Sequence, residues 1–237
     1  MDRARQWTNS CRFGVEVGLK SVLLFGGTFD PVHNAHVAMA RDALTELGAT
    51  ELTVLPAGNP YQRGRLPLAS ASHRTAMLRL AFAETADVDV DLRELERHGP
   101  TFTFETLREL RQQYGDDASF TWLIGGDAFA KLDSWHQWPS LFTLANFAVV
   151  GRQGEPHSLH TASLALLAHL ANRETPAAAL RTTTFGKYSL LSAIVPPISS
   201  TDLRTRLKNH QSIRGLAPDR VCDYIEHHKL YVPEEKT

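Results

Sequence analysis

Short apolar runs alternate with segments of helical periodicity along most of the chain. Apolar residues at helical spacing predict helices over 35–47, 72–84 and 104–114, with Gly48 ending the first and Thr103 capping the third. The apolar runs predict strands at SVLLF (21–25), ELTVL (51–55), VDVDL (88–92), SFTWLI (119–124), NFAVV (146–150) and LLSAIV (190–195). Several runs are almost continuously apolar, which is typical of strands covered on both faces. The alternation predicts an α/β fold with a doubly wound, mostly parallel sheet.

The end of the chain has a different pattern. STDLRTRLKNH and APDRVCDYIEHHKLY predict two helices without a strand between them, and Pro218 suits a first helical position. We expect a single domain over 20–237, in which 198–237 form a small C-terminal helical cap.

Residues 1–19 predict a disordered extension without the apolar stretch of a secretion signal. A translation start nearer to residue 15 or 17 is the alternative.

Composition and charge narrow the classes of partner. The chain has 237 residues and a formal net charge of −1, which argues against a general affinity for nucleic acid or an anionic membrane. No apolar run approaches membrane-spanning length. The two cysteines, Cys11 and Cys222, offer neither a disulfide framework nor metal-ligand spacing, so we expect a reduced, cytoplasmic setting.

The segment FGGTFDPVHNAH joins the first predicted strand to the first predicted helix. Ligands of parallel α/β sheets bind beyond the carboxyl ends of the strands, and a helix N-terminus there attracts phosphate. Gly26 and Gly27 would let the backbone approach a ligand, and Thr28 adds a hydroxyl donor. His33 and His36 share one helix face, where they could donate hydrogen bonds and, when protonated, carry charge. The segment therefore predicts an anion site.

Other interpretations of this segment stay open at this point. It is neither a P-loop nor the dinucleotide G-x-G-x-x-G pattern. The glycines could form an ordinary turn, with the histidines as surface or capping residues. His-x-x-His could also chelate a metal, although no further ligands stand at convincing spacing.

Four stretches together resemble one family. GGTFDPVHNAH resembles the G-G-T/S-F-D-P-x-H-x-G-H signature of nucleotidyltransferases that share a Rossmann-like fold with class I aminoacyl-tRNA synthetases. LIGGDAFAKLDSWHQW (123–138), GPTFTFETL (99–107) and ISSTDLRTRL (198–207) resemble segments of the bacterial nicotinate-nucleotide adenylyltransferases within that group. The resemblance runs from about Ser21 to about Tyr231.

The resemblance implies a reaction between ATP and nicotinate mononucleotide that gives nicotinate adenine dinucleotide (deamido-NAD) and pyrophosphate, a step of NAD biosynthesis. The attacking 5′-phosphate is already an anion, so alignment and charge stabilisation suffice without a general base. Mg²⁺ would arrive bound to ATP, and no metal site on the protein is required.

The resemblance also implies residue roles. The catalytic residues would be His33, His36 and Arg204. Further ATP contacts would come from Gly26, Gly27, Thr28, Phe29, Gly125, Asp127, Ser200 and Thr201. We expect Ser200 or Thr201 to cap a helix starting near Asp202. For Arg204 the alternative is an exposed arginine on a surface helix, and for Asp127 it is a helix cap.

The mononucleotide would be held by Thr103, Trp135, His136, Gln62 and Arg152. Trp135 could stack on the pyridine ring, and backbone amides at Thr103 and His136 would bind its carboxylate. Trp135 could instead be a core anchor, and Arg152 could be a solvated surface residue.

Two positions depart from the family pattern. Ala35 replaces the glycine between the histidines, which costs nothing if the residue is already helical. Gln62 stands where the family often has a basic residue, although Arg63 or Arg65 could supply the charge.

Two other functions remain possible from the sequence. The enzyme could use another phosphorylated acceptor, such as nicotinamide mononucleotide, or the chain could be a non-catalytic nucleotide-binding relative. A tRNA-binding synthetase fragment is disfavoured by the near-neutral charge. We expect a monomer or a small homo-oligomer.

Overall fold

The computed structural model describes residues 19–60, 66–153 and 159–233. Most of the predicted extension at 1–19 lies outside these residues. So does Gln62, together with the neighbouring Arg63 and Arg65, whose predicted roles therefore stay predictions.

The strands of the described chain form one six-stranded sheet in the order β3-β2-β1-β4-β5-β6. Every strand pair is parallel, which confirms the predicted doubly wound α/β fold. The strands are β1 (Ser21–Gly27), β2 (Glu51–Pro56), β3 (Val88–Val90), β4 (Ser119–Gly125), β5 (Asn146–Arg152) and β6 (Tyr188–Val195).

The helices connect these strands and cover both faces of the sheet. They are α1 (Asn34–Leu47), α2 (Ala71–Ala81), α3 (Arg93–Glu96), α4 (Thr103–Tyr114), α5 (Gly126–Phe129), α6 (Trp138–Leu141), α7 (Leu164–Leu170), α8 (Ala177–Leu180), α9 (Ser200–Lys208) and α10 (Asp219–His227). No helix in the described ranges has the length and apolar character needed to cross a membrane.

Alternate residues of β1 enter two separate cores, as the period of a strand requires. Leu23 and Phe25 belong to the core shared with α1, α2, α9 and α10. Val22 and Leu24 belong to the core on the other face, shared with α4. Since both faces are covered, the carboxyl edge of the sheet is the part of it left for a ligand.

The helix ends correct several expectations. Phe102 occupies the N-cap position of α4, and Thr103 is its first helical residue. Ser199, rather than Ser200 or Thr201, caps α9, because its hydroxyl accepts from the backbone N–H of Asp202 at 3.1 Å. Gly48 ends α1 in the left-handed conformation as expected, whereas Pro218 precedes α10 as its cap.

The order of strands places β1 beside β4 in the middle of the sheet. From β1 the chain proceeds outward through β2 and β3, and from β4 it proceeds outward through β5 and β6. This reversal leaves a crevice between the segments that follow β1 and β4.

Candidate active site

A cavity of about 300 Å³ lies at this crevice. Its wall brings together the turn after β1, the end of β4 and the start of α4. Of the residues predicted from the sequence, those that line the cavity are Gly26, Gly27, Thr28, Phe29, His33, His36, Thr103, Gly125, Asp127, Trp135, Arg152 and Ser200.

Groups from β2 and α2 hold the first part of the turn after β1. The carbonyl oxygen of Gly27 accepts from the N–H of Ala57 at 2.8 Å. Arg74 Nη1 donates to the carbonyls of Thr28 (2.8 Å) and Ala57 (2.7 Å). Arg74 is almost fully buried, and burial lowers its pKa. No local sequence pattern predicts this bridge between two strand ends.

Helix α9 holds the second part of the turn. Arg204 Nη1 donates to the carbonyl of Asp30 at 2.6 Å, and Ser200 Oγ donates to that of Pro31 at 2.9 Å. Arg204 also donates from Nη2 to Thr201 Oγ1 at 3.1 Å. Carbonyl oxygens would repel a phosphate, and these are occupied by protein donors.

Arg204 is only 7% exposed, so it is not the exposed surface arginine of the alternative interpretation. Neither Arg204 nor Thr201 is among the residues that line the cavity. The structure places the guanidinium on the backbone of the turn after β1, and direct contact between Arg204 and a phosphate stays a prediction.

Aromatic side chains pack against both glycines of the turn. A Cβ on Gly26 would lie 2.2 Å from Trp122 Cζ2, and a Cβ on Gly27 would lie 2.8 Å from Phe29 Cζ. Both distances are below any normal contact, so aromatic rings occupy the space that side chains would need. Both glycines also line the cavity, and the expected approach of their backbone to a ligand stays a prediction.

His33 is only 4% exposed, and its Nδ1 has no hydrogen-bond partner among the described residues. Burial lowers its pKa to about 4, with a further contribution from the charge of Arg152. The ring of the unliganded protein is therefore uncharged at neutral pH. In this state His33 can serve as a hydrogen-bonding group but not as a fixed positive charge.

His36 stacks on His33 with ring centroids 3.7 Å apart. Its Nδ1 accepts from the backbone N–H of His33 at 3.3 Å. Because Nδ1 is the acceptor, the proton of the neutral ring resides on Nε2. This arrangement confirms that both histidines lie together on the cavity wall.

Asp127 and Arg152 form an ion pair of 4.0 Å, measured between Oδ2 and Nη2. Both side chains are about half exposed and both line the cavity. Asp127 lies in the first turn of α5, whose cap is Gly125. The role of Arg152 toward a substrate phosphate stays a prediction, whereas Gly125, and not Asp127, occupies the cap position of α5.

The cavity wall also includes Trp135, Thr103, Thr101 and Glu94. Trp135 is partly buried and packs against the core on the α4 face. The wall thus combines an aromatic ring with the N-terminal end of α4. His136 does not line the cavity; it is exposed, and its ring centroid lies 4.4 Å from that of Phe102.

Glu94 is a buried acid that the sequence patterns did not single out. Its Oε1 accepts from Thr106 Oγ1 at 2.7 Å. Burial raises its pKa, while Thr106 and the positive charge of Arg97 act in the opposite direction. A carboxyl group with a raised pKa beside a cavity is typical of a functional region.

Ala35 is helical, as expected, and lies in the first turn of α1. It is also buried in the cavity wall. Its methyl group therefore costs nothing in backbone conformation and faces the ligand space with the smallest possible side chain.

No group of three or more histidine, cysteine or acidic side chains within the described chain could hold a metal ion.

Comparison with known proteins identifies the family. The cytidylyltransferase-like family model matches residues 24–206. A "Probable nicotinate-nucleotide adenylyltransferase" of Chromobacterium violaceum is 41% identical over 214 residues, covering 88% of this chain and 97% of the relative. A protein of the same description from Laribacter hongkongensis is 42% identical over 213 residues, covering 89% and 94%.

Solved structures show the same fold. The Plasmodium falciparum nicotinic acid mononucleotide adenylyltransferase complexed with NaAD has a TM-score of 0.64 at 21% identity, covering 90% of this chain and 97% of its own. The same enzyme complexed with APC has a TM-score of 0.62. The chain belongs to the cytidylyltransferase-like family and, within it, to the nicotinate-nucleotide adenylyltransferases.

Proposed function

We propose that the protein transfers the adenylyl group of ATP to nicotinate mononucleotide, giving nicotinate adenine dinucleotide and pyrophosphate. The observation that carries this proposal is one cavity whose wall combines the turn after β1, including His33 and His36, with Trp135 and the start of α4. The relatives at about 40% identity support the same substrates.

The turn after β1 would receive the phosphates of ATP. Thr28, His33 and His36 line this part of the cavity, and α1 begins there with the positive end of its dipole. An incoming phosphate would favour the protonated form of His33, opposing the effect of burial on its pKa. The site would stabilise charge as pyrophosphate departs, and Mg²⁺ carried by ATP would neutralise part of it.

The part of the cavity beside Trp135 and Thr103 would receive the nicotinate ring. Trp135 offers a flat surface, and the start of α4 at Thr103 offers backbone N–H donors for a carboxylate. A carboxylate gains more from a helix N-terminus than a neutral amide does. The proposal therefore includes a preference for the acid mononucleotide over nicotinamide mononucleotide.

Alignment would supply most of the rate. The 5′-phosphate of the mononucleotide would attack the α-phosphorus, forming the new P–O bond as the bond to pyrophosphate breaks. Gly125, Asp127 and Arg152 line the same cavity and would position the nucleotide. We further propose that the protein works in the cytoplasm as a monomer or small homo-oligomer, without nucleic acid or membrane partners.

The test measures pyrophosphate release from ATP with each mononucleotide in turn. We expect release with nicotinate mononucleotide and slower release with the amide. No release with the acid would refute the proposed reaction, and equal rates with both would refute the preference.

His36→Ala should lower kcat by about 100-fold or more, the usual effect of removing one donor to a developing charge. His98→Ala is the matched control, because His98 is exposed and does not line the cavity. Full activity of His36→Ala would show that the phosphate site is assigned wrongly.

A further inference from the structure

Tyr231 follows the last helix, α10, and its side chain contacts the turn after β1. Its hydroxyl donates to Asp30 Oδ1 at 2.8 Å, joining positions 201 residues apart. Asp30 stands between Thr28 and His33, both of which line the cavity. The contact therefore links the C-terminal region to the segment that carries the proposed phosphate ligands.

The carboxylate of Asp30 collects two further bonds. Its Oδ2 accepts from the N–H of Leu68 at 2.8 Å, and its Oδ1 accepts from the N–H of Ala69 at 3.0 Å. Asp30 is only 4% exposed. One buried side chain thus joins the turn after β1, the segment before α2 and the C-terminal region.

Both segments that form the contact between Tyr231 and Asp30 include a residue with left-handed backbone conformation. Phe29, which precedes Asp30, has φ 48°, and Tyr231 itself has φ 64°. A residue other than glycine adopts this conformation at a cost of about 1–2 kcal/mol. Its surroundings must hold it there, and here the conformation brings the hydroxyl and the carboxylate together.

The hydroxyl is a reliable donor. Burial raises the pKa of Tyr231, and the negative charge of Asp30 raises it further. The phenol thus stays protonated at every pH in which the protein works. The buried guanidinium groups of Arg74 and Arg204 act on Tyr231 in the opposite direction, so the local charge of Asp30 is balanced by arginines that also hold the turn.

We propose that Tyr231 is a positioning residue for ATP, because its bond to Asp30 fixes the turn that presents Thr28 and His33 to the phosphates. The proposal rests on the proposed function in placing ATP at this turn. It assigns no contact between Tyr231 and the substrate, and Tyr231 does not line the cavity.

Tyr231→Phe tests the proposal by removing one oxygen and keeping the ring. Tyr224→Phe is the matched control: Tyr224 lies in α10, and its hydroxyl pairs with His73 Nδ1 at 2.9 Å, away from the turn. Calorimetry gives the Kd of each variant for ATP and for nicotinate mononucleotide separately. Thermal unfolding and steady-state kinetics accompany the binding data.

In Tyr231→Phe we expect the Kd for ATP to rise about tenfold, as loss of a hydrogen bond to a charged group implies. The Kd for the mononucleotide should change less than about twofold, and Tyr224→Phe should match the unchanged protein in both. Equal ATP affinity in the two variants would overturn the proposal. So would a parallel loss for both substrates, or a Tyr231→Phe protein that does not fold, because the hydroxyl would then support the fold as a whole.

The two proposals fail in different ways. An unchanged protein that binds ATP but releases no pyrophosphate with either mononucleotide refutes the proposed reaction, while the ATP affinities still decide the role of Tyr231. An unchanged protein that does not bind ATP refutes both.

Discussion

The space beside Gly26, at the end of β1, is already filled. A Cβ at this position would lie 2.2 Å from Trp122 Cζ2 and 2.6 Å from Trp122 Cη2. Trp122 is buried and belongs to the core on the α4 face, so its ring would have to shift against its packed neighbours. Gly26→Ala should destabilise the fold by about 1–3 kcal/mol, the usual cost of overpacking a core, and lower Tm by roughly 2–10 °C.

Gly125→Ala is the matched control at the end of the neighbouring strand β4. Both glycines line the same cavity, but a Cβ on Gly125 would meet only Asp127 Oδ1, at 2.8 Å. The Asp127 side chain is half exposed and can rotate away. We expect this change to cost less than about 1 kcal/mol.

Thermal and urea unfolding measure both costs, and a double mutant identifies their source. Phenylalanine lacks the outer ring atoms of tryptophan that crowd Gly26, so Gly26→Ala should cost less in a Trp122→Phe background. Equal destabilisation by Gly26→Ala and Gly125→Ala would refute the packing argument. Absence of coupling between positions 26 and 122 would refute it as well.

Two further variants test the buried groups behind the site. Burial lowers the pKa of His33 to about 4, from an ordinary value of 6.5. Between these two pH values the imidazole is protonated in the unfolded chain but not in the folded protein. The free energy of unfolding therefore decreases as pH falls through this window. His33→Gln should reduce the slope of the unfolding free energy against pH by up to about 1.4 kcal/mol per pH unit. Urea unfolding at a series of pH values measures this slope, and an unchanged slope would contradict the burial argument. Arg74→Met should cost about 1–3 kcal/mol by leaving the carbonyls of Thr28 and Ala57 without their donor. The control Arg79→Met changes an exposed arginine of the same helix, and equal stability of the two variants would count against the bridge.

The strands and the turn after β1 could be predicted from the sequence because their signals are local. Each strand is a short apolar run, and the turn combines glycines and histidines within one segment. Helix ends were less certain, since three consecutive residues at 199–201 could each cap a helix. Only the observed backbone shows that Ser199 does so.

The supports of the site could not be predicted in this way. Arg74 and Glu94 are charged residues without a local pattern that marks them as buried. Tyr231 and Asp30 are brought together only by the tertiary fold, because 201 positions separate them. Contacts of this kind depend on topology, which periodicity does not encode residue by residue.

The order of synthesis follows from the way the turn is held. The turn after β1 leaves the ribosome early, whereas Ser200, Arg204 and Tyr231, which bond to Pro31 and Asp30, are made last. A nascent chain can pair all six strands once Val195 has emerged, yet it still lacks those three donors. We therefore expect ATP affinity to be acquired as a late step of maturation, after the sheet has already formed.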